Sequence, residues 1–151
     1  MRLLVLLLTI GISQTVYCAN VPGADWLLAT SAAPWGQRGY PAQTVFKNKV
    51  YLLGGERAPG VYLPDVWTSA NGISWTLTQG SADWSARSGL SVVTLGRTSY
   101  VLGGNDGNVN NDVWSSQNMR KWKRLTNNAP WSPRWHHCSV MFSNLMGHWR
   151  R

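Results

Sequence analysis

An all-β fold built from a repeated four-stranded unit is what this sequence predicts. Eight of the ten tryptophans fall in one repeating register, short apolar runs end in paired glycines, and no stretch joins helical periodicity to helix caps. The chain has 151 residues, of which 44% are hydrophobic and 13% charged. That is material for one domain, with too few charges for a solvated disordered tail. Fifteen glycines and seven prolines suit short strands and tight turns around the large flat indoles.

The first element is a leader. Met1 and Arg2 give a basic start, and Leu3 to Ile12 are ten mostly apolar residues. That matches a signal-peptide core and falls short of the roughly 20 residues of a membrane span. Cleavage after Cys18 puts Val16 and Cys18 at the two positions that want small side chains, so residues 1–18 are expected to leave. The mature chain is then secreted, with no membrane span. Losing Arg2 takes the formal charge from +8 to +7, and losing Cys18 leaves Cys138 as the sole thiol, so no internal disulfide forms. No Asn-x-Ser/Thr sequon occurs, so N-glycans are not expected.

The repeat follows. Trp35 and Arg38 recur as Trp84 and Arg87, then as Trp131 and Arg134, in steps of 49 and 47 residues. Tyr51 to Gly55 recurs as Tyr100 to Gly104, Asp65-Val66-Trp67 as Asp112-Val113-Trp114, and Trp75 as Trp122. Trp26, 49 residues before Trp75, opens a fourth strand (26–29) without the rest of its unit. The first full unit reads as strands at 41–46, 49–53, 65–69 and 73–78, with turn-like Lys47-Asn48 and Asn71-Gly72 between them. The second reads as 89–95, 98–102, 112–116 and 120–125. His136 to Phe142 then aligns as the first strand of a further unit, and register is lost from Leu145.

A four-stranded unit of about 50 residues suits a β-propeller blade. These residues resemble the kelch family, the type of propeller also found in the central domain of galactose oxidase. The likeness rests on Arg38 and Arg87, on "VYLLGG" at 50–55 and "YVLGG" at 100–104, on "DVW" at 65–67 and 112–114, and on Trp75 and Trp122. Kelch units usually carry a tyrosine where Ser69 and Ser116 stand. The resemblance implies that the glycines, tryptophans and arginines support packing within and between blades. The organisation expected is a signal peptide at 1–18, kelch-type repeats at 20–144 and a divergent tail at 145–151. Within the repeats, blade one covers about 40–79, blade two about 88–126, and a further blade starts at 134–142. Two full blades do not close a ring of the usual four to eight. The chain therefore reads as an incomplete propeller, a piece of a longer one, and self-association through open faces is expected.

The residues that carry chemistry have structural readings. His136 and His137 are adjacent on an expected strand and point to opposite faces, and His136 with Cys138 offers only two metal ligands. Three arginines at one repeat position would bind a carboxylate if they converged. The kelch unit already requires an arginine there, so a role in the frame is expected. Ser69 to Trp75 looks like a shortened sialidase Asp-box, with Asn71 in place of the aspartate. Asp65 and Asp112 are expected to hydrogen-bond turns or loops. Arg120-Lys121-Trp122-Lys123-Arg124 falls on an expected edge strand, where charge blocks strand addition. No catalytic, metal or cofactor residues are assigned, and no nucleic-acid partner is expected of a secreted chain. The function expected is a non-catalytic module that binds a protein or glycan through loops 55–64 and 104–111. The alternative is the remnant of a secreted propeller oxidase or glycosidase.

Overall fold

The computed structural model describes residues 27–141, together with 4–5 and 17–18. The remainder of the expected leader and the tail from residue 142 lie outside the described residues. The described chain is all-β, with two four-stranded antiparallel sheets and one three-stranded sheet.

Three two-residue strands make the smallest sheet: β1 (Leu4–Val5), β2 (Tyr17–Cys18) and β3 (Leu27–Leu28), in the order β1-β2-β3. The fourth strand expected at 26–29 thus has neighbours, because Tyr17 pairs with Leu28 and Cys18 with Leu27. In the uncut chain these partners come from within the expected leader.

Each larger sheet is a simple meander. The first holds β4 (Ala42–Phe46), β5 (Lys49–Leu53), β6 (Val66–Ser69) and β7 (Trp75–Gln79), neighbours in that order. The second holds β8 (Ser91–Leu95), β9 (Thr98–Asn105), β10 (Val109–Ser116) and β11 (Lys123–Thr126). The β4–β5 connection is the two-residue turn Lys47-Asn48, both left-handed at φ 48° and 58°. That twist matches the flanking strands. The β8–β9 turn uses Gly96 at φ 59° for the same job.

The second sheet differs from expectation on one side. The stretch 104–111, rich in Asn and Gly, was expected to be a loop. Instead β9 runs to Asn105 and β10 starts at Val109, pairing Val109 with Asn105 and Asn110 with Gly104. Only residues 106–108 remain as a turn. Ladder bonds to an existing neighbour override the weak strand preference of asparagine.

The two sheets pack face to face. Phe46, Tyr51, Leu53 and Val66 of the first share one core with Val101 and Trp114 of the second and with Trp84, Met119 and Trp122 from its connections. A second cluster, on the other face of the first sheet, holds Trp35, Leu52 and Trp75, with Ala29, Ala33, Val50 and Trp67 against it. The repeat makes the asymmetry legible. Trp114, at the junction, is buried, whereas its counterpart Trp67 is only partly buried. Likewise Leu53 and Val66 are buried, and their counterparts Leu102 and Val113 are half-buried on the face of the second sheet turned away from the first.

The strand expected at 136–142 is not formed. Residues 131–141 carry no strand, and His136 is left-handed at φ 54°, a conformation no strand residue adopts. A first strand needs a second to satisfy its ladder, and no described strand lies beside it.

Candidate functional site

Recurring polar residues build the frame. Arg38, 6% exposed, forks onto Asp65 with Nη1–Oδ1 at 2.6 Å and Nη2–Oδ2 at 2.9 Å. It also donates to the Gly54 carbonyl at 2.9 Å and to the Trp35 carbonyl. Arg87, 2% exposed, repeats this with Asp112 at 2.7 and 3.0 Å and the Gly103 carbonyl at 2.9 Å. Each aspartate also accepts an indole N–H two residues on, from Trp67 at 2.7 Å and Trp114 at 2.8 Å. These bidentate, charge-assisted bonds tie the start of each unit to its middle. Asp65 and Asp112 are therefore ion-pair partners rather than simple turn residues.

Two further devices recur. The tryptophan opening each unit meets the one closing it edge to face: Trp35 with Trp75 at 5.7 Å and Trp84 with Trp122 at 6.3 Å between ring centroids. Ser69 and Ser116 cap the last turn of their units. Ser69 Oγ accepts the Gly72 N–H at 2.8 Å, and Ser116 Oγ accepts that of Met119 at 2.9 Å. Asn71 and Asn118 each take two backbone N–H groups at 2.9 Å through one side-chain oxygen. The likeness to an Asp-box therefore corresponds to a turn-closing motif, and here the serine has a local partner where a tyrosine would not.

Arg134, the third arginine, is exposed, and among the described residues its side chain hydrogen-bonds Ser132 alone, at 3.1 Å to the carbonyl and 3.3 Å to the hydroxyl. The buried pair of arginines face into their own units, each toward its own aspartate.

A cleft of about 330 Å³ opens where three equivalent segments meet: 40–43, 89–92 and 136–139. Backbone bonds link them in series, with Gly89 N–H donating to the Tyr40 carbonyl at 2.9 Å and His136 N–H to that of Gly89 at 2.8 Å. All three first positions are left-handed, at φ 52° for Tyr40, 59° for Gly89 and 54° for His136. Only glycine fits at 89, since a Cβ there would stand 2.6 Å from His136 Cδ2. The His136 ring lies instead against Tyr40 at 4.2 Å and Trp135 at 4.0 Å. Left-handed non-glycine residues gathered at one place often mark a functional site.

His136, His137 and Cys138 all line this cleft, so the histidines are not separated as strand alternation predicted. Both ring nitrogens of His137 are buried without a hydrogen-bond partner. Burial, helped by the charge of Arg134, holds its pKa below the ordinary 6.5, so the ring is neutral at pH 7. Among the described residues no group of three or more His, Cys, Asp or Glu is placed to hold a metal ion. The lining joins apolar Leu90 and Val92 to aromatic and polar side chains, among them Tyr40, Gln43, His137 and Cys138. It offers stacking surface and hydrogen bonds, with no carboxylate. Tyr40 went unassigned in the sequence reading. The signal was present, because Tyr40, Gly89 and His136 follow the same steps of 49 and 47 as the arginines.

The connections that vary between units flank the same end of the sheets. Residues 57–61 close on themselves, with Arg57 N–H to the Val61 carbonyl at 3.0 Å and Val61 N–H to that of Ala58 at 2.8 Å. In the 106–108 turn, burial raises the pKa of Asp106. Hydrogen bonds from Ser85, Asn110 and the Asn108 amide, with the charge of Arg87, outweigh it and hold the carboxyl below its usual value. No protein-family model matches the chain, and no curated protein matches it.

Proposed function

We propose that this chain is a secreted, non-catalytic kelch-type module whose sheets are propeller blades, and that it holds a protein or glycan ligand at the end bearing the cleft and loops 57–61 and 106–108. One observation carries this reading. The charged residues common to both full units, Arg38 with Asp65 and Arg87 with Asp112, are turned inward on each other. What the units share is therefore frame, and what they do not share is surface at one end. Recognition on variable loops held by a rigid scaffold follows that division. A remnant oxidase or glycosidase is less favoured, because the recurring carboxylates are already held by arginines.

The test is a loop exchange read on a panel of immobilised neutral oligosaccharides and extracellular proteins. Replacing 57–61 by the three-residue turn of the second unit should abolish the strongest signal and leave the thermal midpoint unchanged. Turnover of a galactoside with peroxide release, or glycoside hydrolysis, would overturn the non-catalytic reading.

A further inference from the structure

The opposite end of the sheets has a composition of its own. There lie the β4–β5 turn with Lys47 and Lys49, the β8–β9 turn with Arg97, and the β10–β11 turn with Arg120 and Lys121, continuing into Lys123 and Arg124. All seven side chains are exposed. The turns of the two sheets are neighbours, since Lys47 Nζ donates to the Gln117 carbonyl at 3.3 Å and the Thr44 and Thr94 hydroxyls meet at 3.0 Å. Arg124 stacks over the Trp114 ring at 5.4 Å, and Lys47 over Phe46 at 4.9 Å. Both stacks fix cationic heads on the frame.

The acids are elsewhere. Glu56, Asp65, Asp106 and Asp112 sit on the β5–β6 and β9–β10 side, at the far end of the same strands. Asp83 is the one described carboxylate brought near the basic end, where its Oδ2 accepts the backbone N–H of Trp122 at 2.7 Å. Protection of an edge strand accounts for charge on β11. It does not account for Lys47, Lys49 or Arg97, which belong to hairpin turns away from that edge. A field of mostly one sign, seven cations spread over two sheets against Asp83 alone among the described carboxylates, concentrates anionic ligands.

We infer that this end binds an acidic polysaccharide, with sulfate or carboxylate groups held by Arg97, Arg120 and Arg124 and the lysines between them. Arginine forks match both groups in plane, and lysines add point charges along the chain. The choice of a polysaccharide over a nucleic acid rests on the proposal that the chain is exported. The site itself is separate from the loop end.

The experiment uses the full chain with dextran sulfate, neutral dextran and phosphatidylserine vesicles as probes. Dextran sulfate should bind and neutral dextran should not, and raising NaCl from about 50 to about 300 mM should weaken binding roughly tenfold or more, as charge screening requires. The quadruple variant R97Q/R120Q/K121Q/K123Q should bind dextran sulfate at least about tenfold more weakly with an unchanged thermal midpoint, whereas R57Q at the loop end should bind like the parent. If the quadruple variant unfolds, the pair R120Q/K121Q must still weaken binding several-fold. Binding of neutral dextran equal to dextran sulfate, a preference for the vesicles, or equal losses in R57Q would each overturn the inference. Exchange of loop 57–61 should leave dextran sulfate binding intact, so failure of the loop reading and failure of this one are told apart.

Discussion

Three arginines occupy one position in the repeat, two buried on an aspartate and the third exposed. Arg87 is almost fully buried, with five hydrogen bonds to Ser85, Gly103 and Asp112. Removing one partner of a buried pair strands the other, at a cost of about 3–5 kcal/mol. Arg87→Ala should therefore destabilise by that amount in chemical denaturation, and Arg134→Ala, at an exposed site, by no more than about 0.5 kcal/mol. Equal costs would mean that the inward lock is not what holds the unit. His137 makes a pH prediction. Its folded pKa lies below the ordinary 6.5 through burial first and Arg134 second, so the unfolded chain takes a proton more readily. Its contribution is complete above pH 6.5 and is lost as the pH falls from 6.5 toward the folded value. Thermal midpoints should drop across that window in the parent and less so in His137→Gln; parallel curves would remove His137 as the cause.

Among the elements, the strands were largely legible in the sequence, because alternation and paired glycines repeat in register. Expected 49–53 is β5 to the residue, and 41–46 differs from β4 by one. What escaped was decided by distant partners. Val109 and Asn110 extend β10 only because Asn105 and Gly104 are there to pair, and residues 136–141 stay irregular because no described strand lies beside them. The lock between Arg38 and Asp65 spans 27 residues of sequence and was hidden for the same reason, although both residues recur together. Gly54 shows why paired glycines end the second strand. At φ 60°, an added Cβ would sit 2.6 Å from the Arg87 carbonyl oxygen, which itself accepts the Gly55 N–H at 2.9 Å. Gly54→Ala should cost about 2–3 kcal/mol, from left-handed strain and the displaced bond together. A loss below about 0.5 kcal/mol in urea titration would show that the junction between units yields more easily than its geometry says.

For the whole molecule, coverage of the sheet faces decides behaviour. Tyr51, Leu53 and Val66 are buried against the second sheet, whereas Tyr100, Leu102 and Val113, in the same places one unit later, are only half-buried. Among the described residues there is thus one finished junction and one copy of half of it that is only partly covered. Leader removal would widen this, since cleavage after Cys18 takes β1 and β2 away from β3. A chain starting at residue 19, as the proposed cleavage would leave it, should sediment as concentration-dependent oligomers and bind an apolar dye, and Tyr100→Glu should shift it toward monomer. A monodisperse parent with a sharp thermal transition would show that the face is closed in solution. The cleft at 40–43, 89–92 and 136–139 was the part of the candidate site least readable in advance, because it exists only where three separated segments are stacked.

The inward lock also bears on how such a chain can change over generations. The Arg38–Asp65 and Arg87–Asp112 pairs each lie within one stretch of 47 to 49 residues, so a crossover at unit boundaries passes on both locks whole. An insertion in 57–61 lengthens a surface loop at little cost. The same insertion between Arg38 and β4 would pull the guanidinium off its carboxylate. Duplication and loss of entire units, with drift confined to one end, is the route this architecture leaves open.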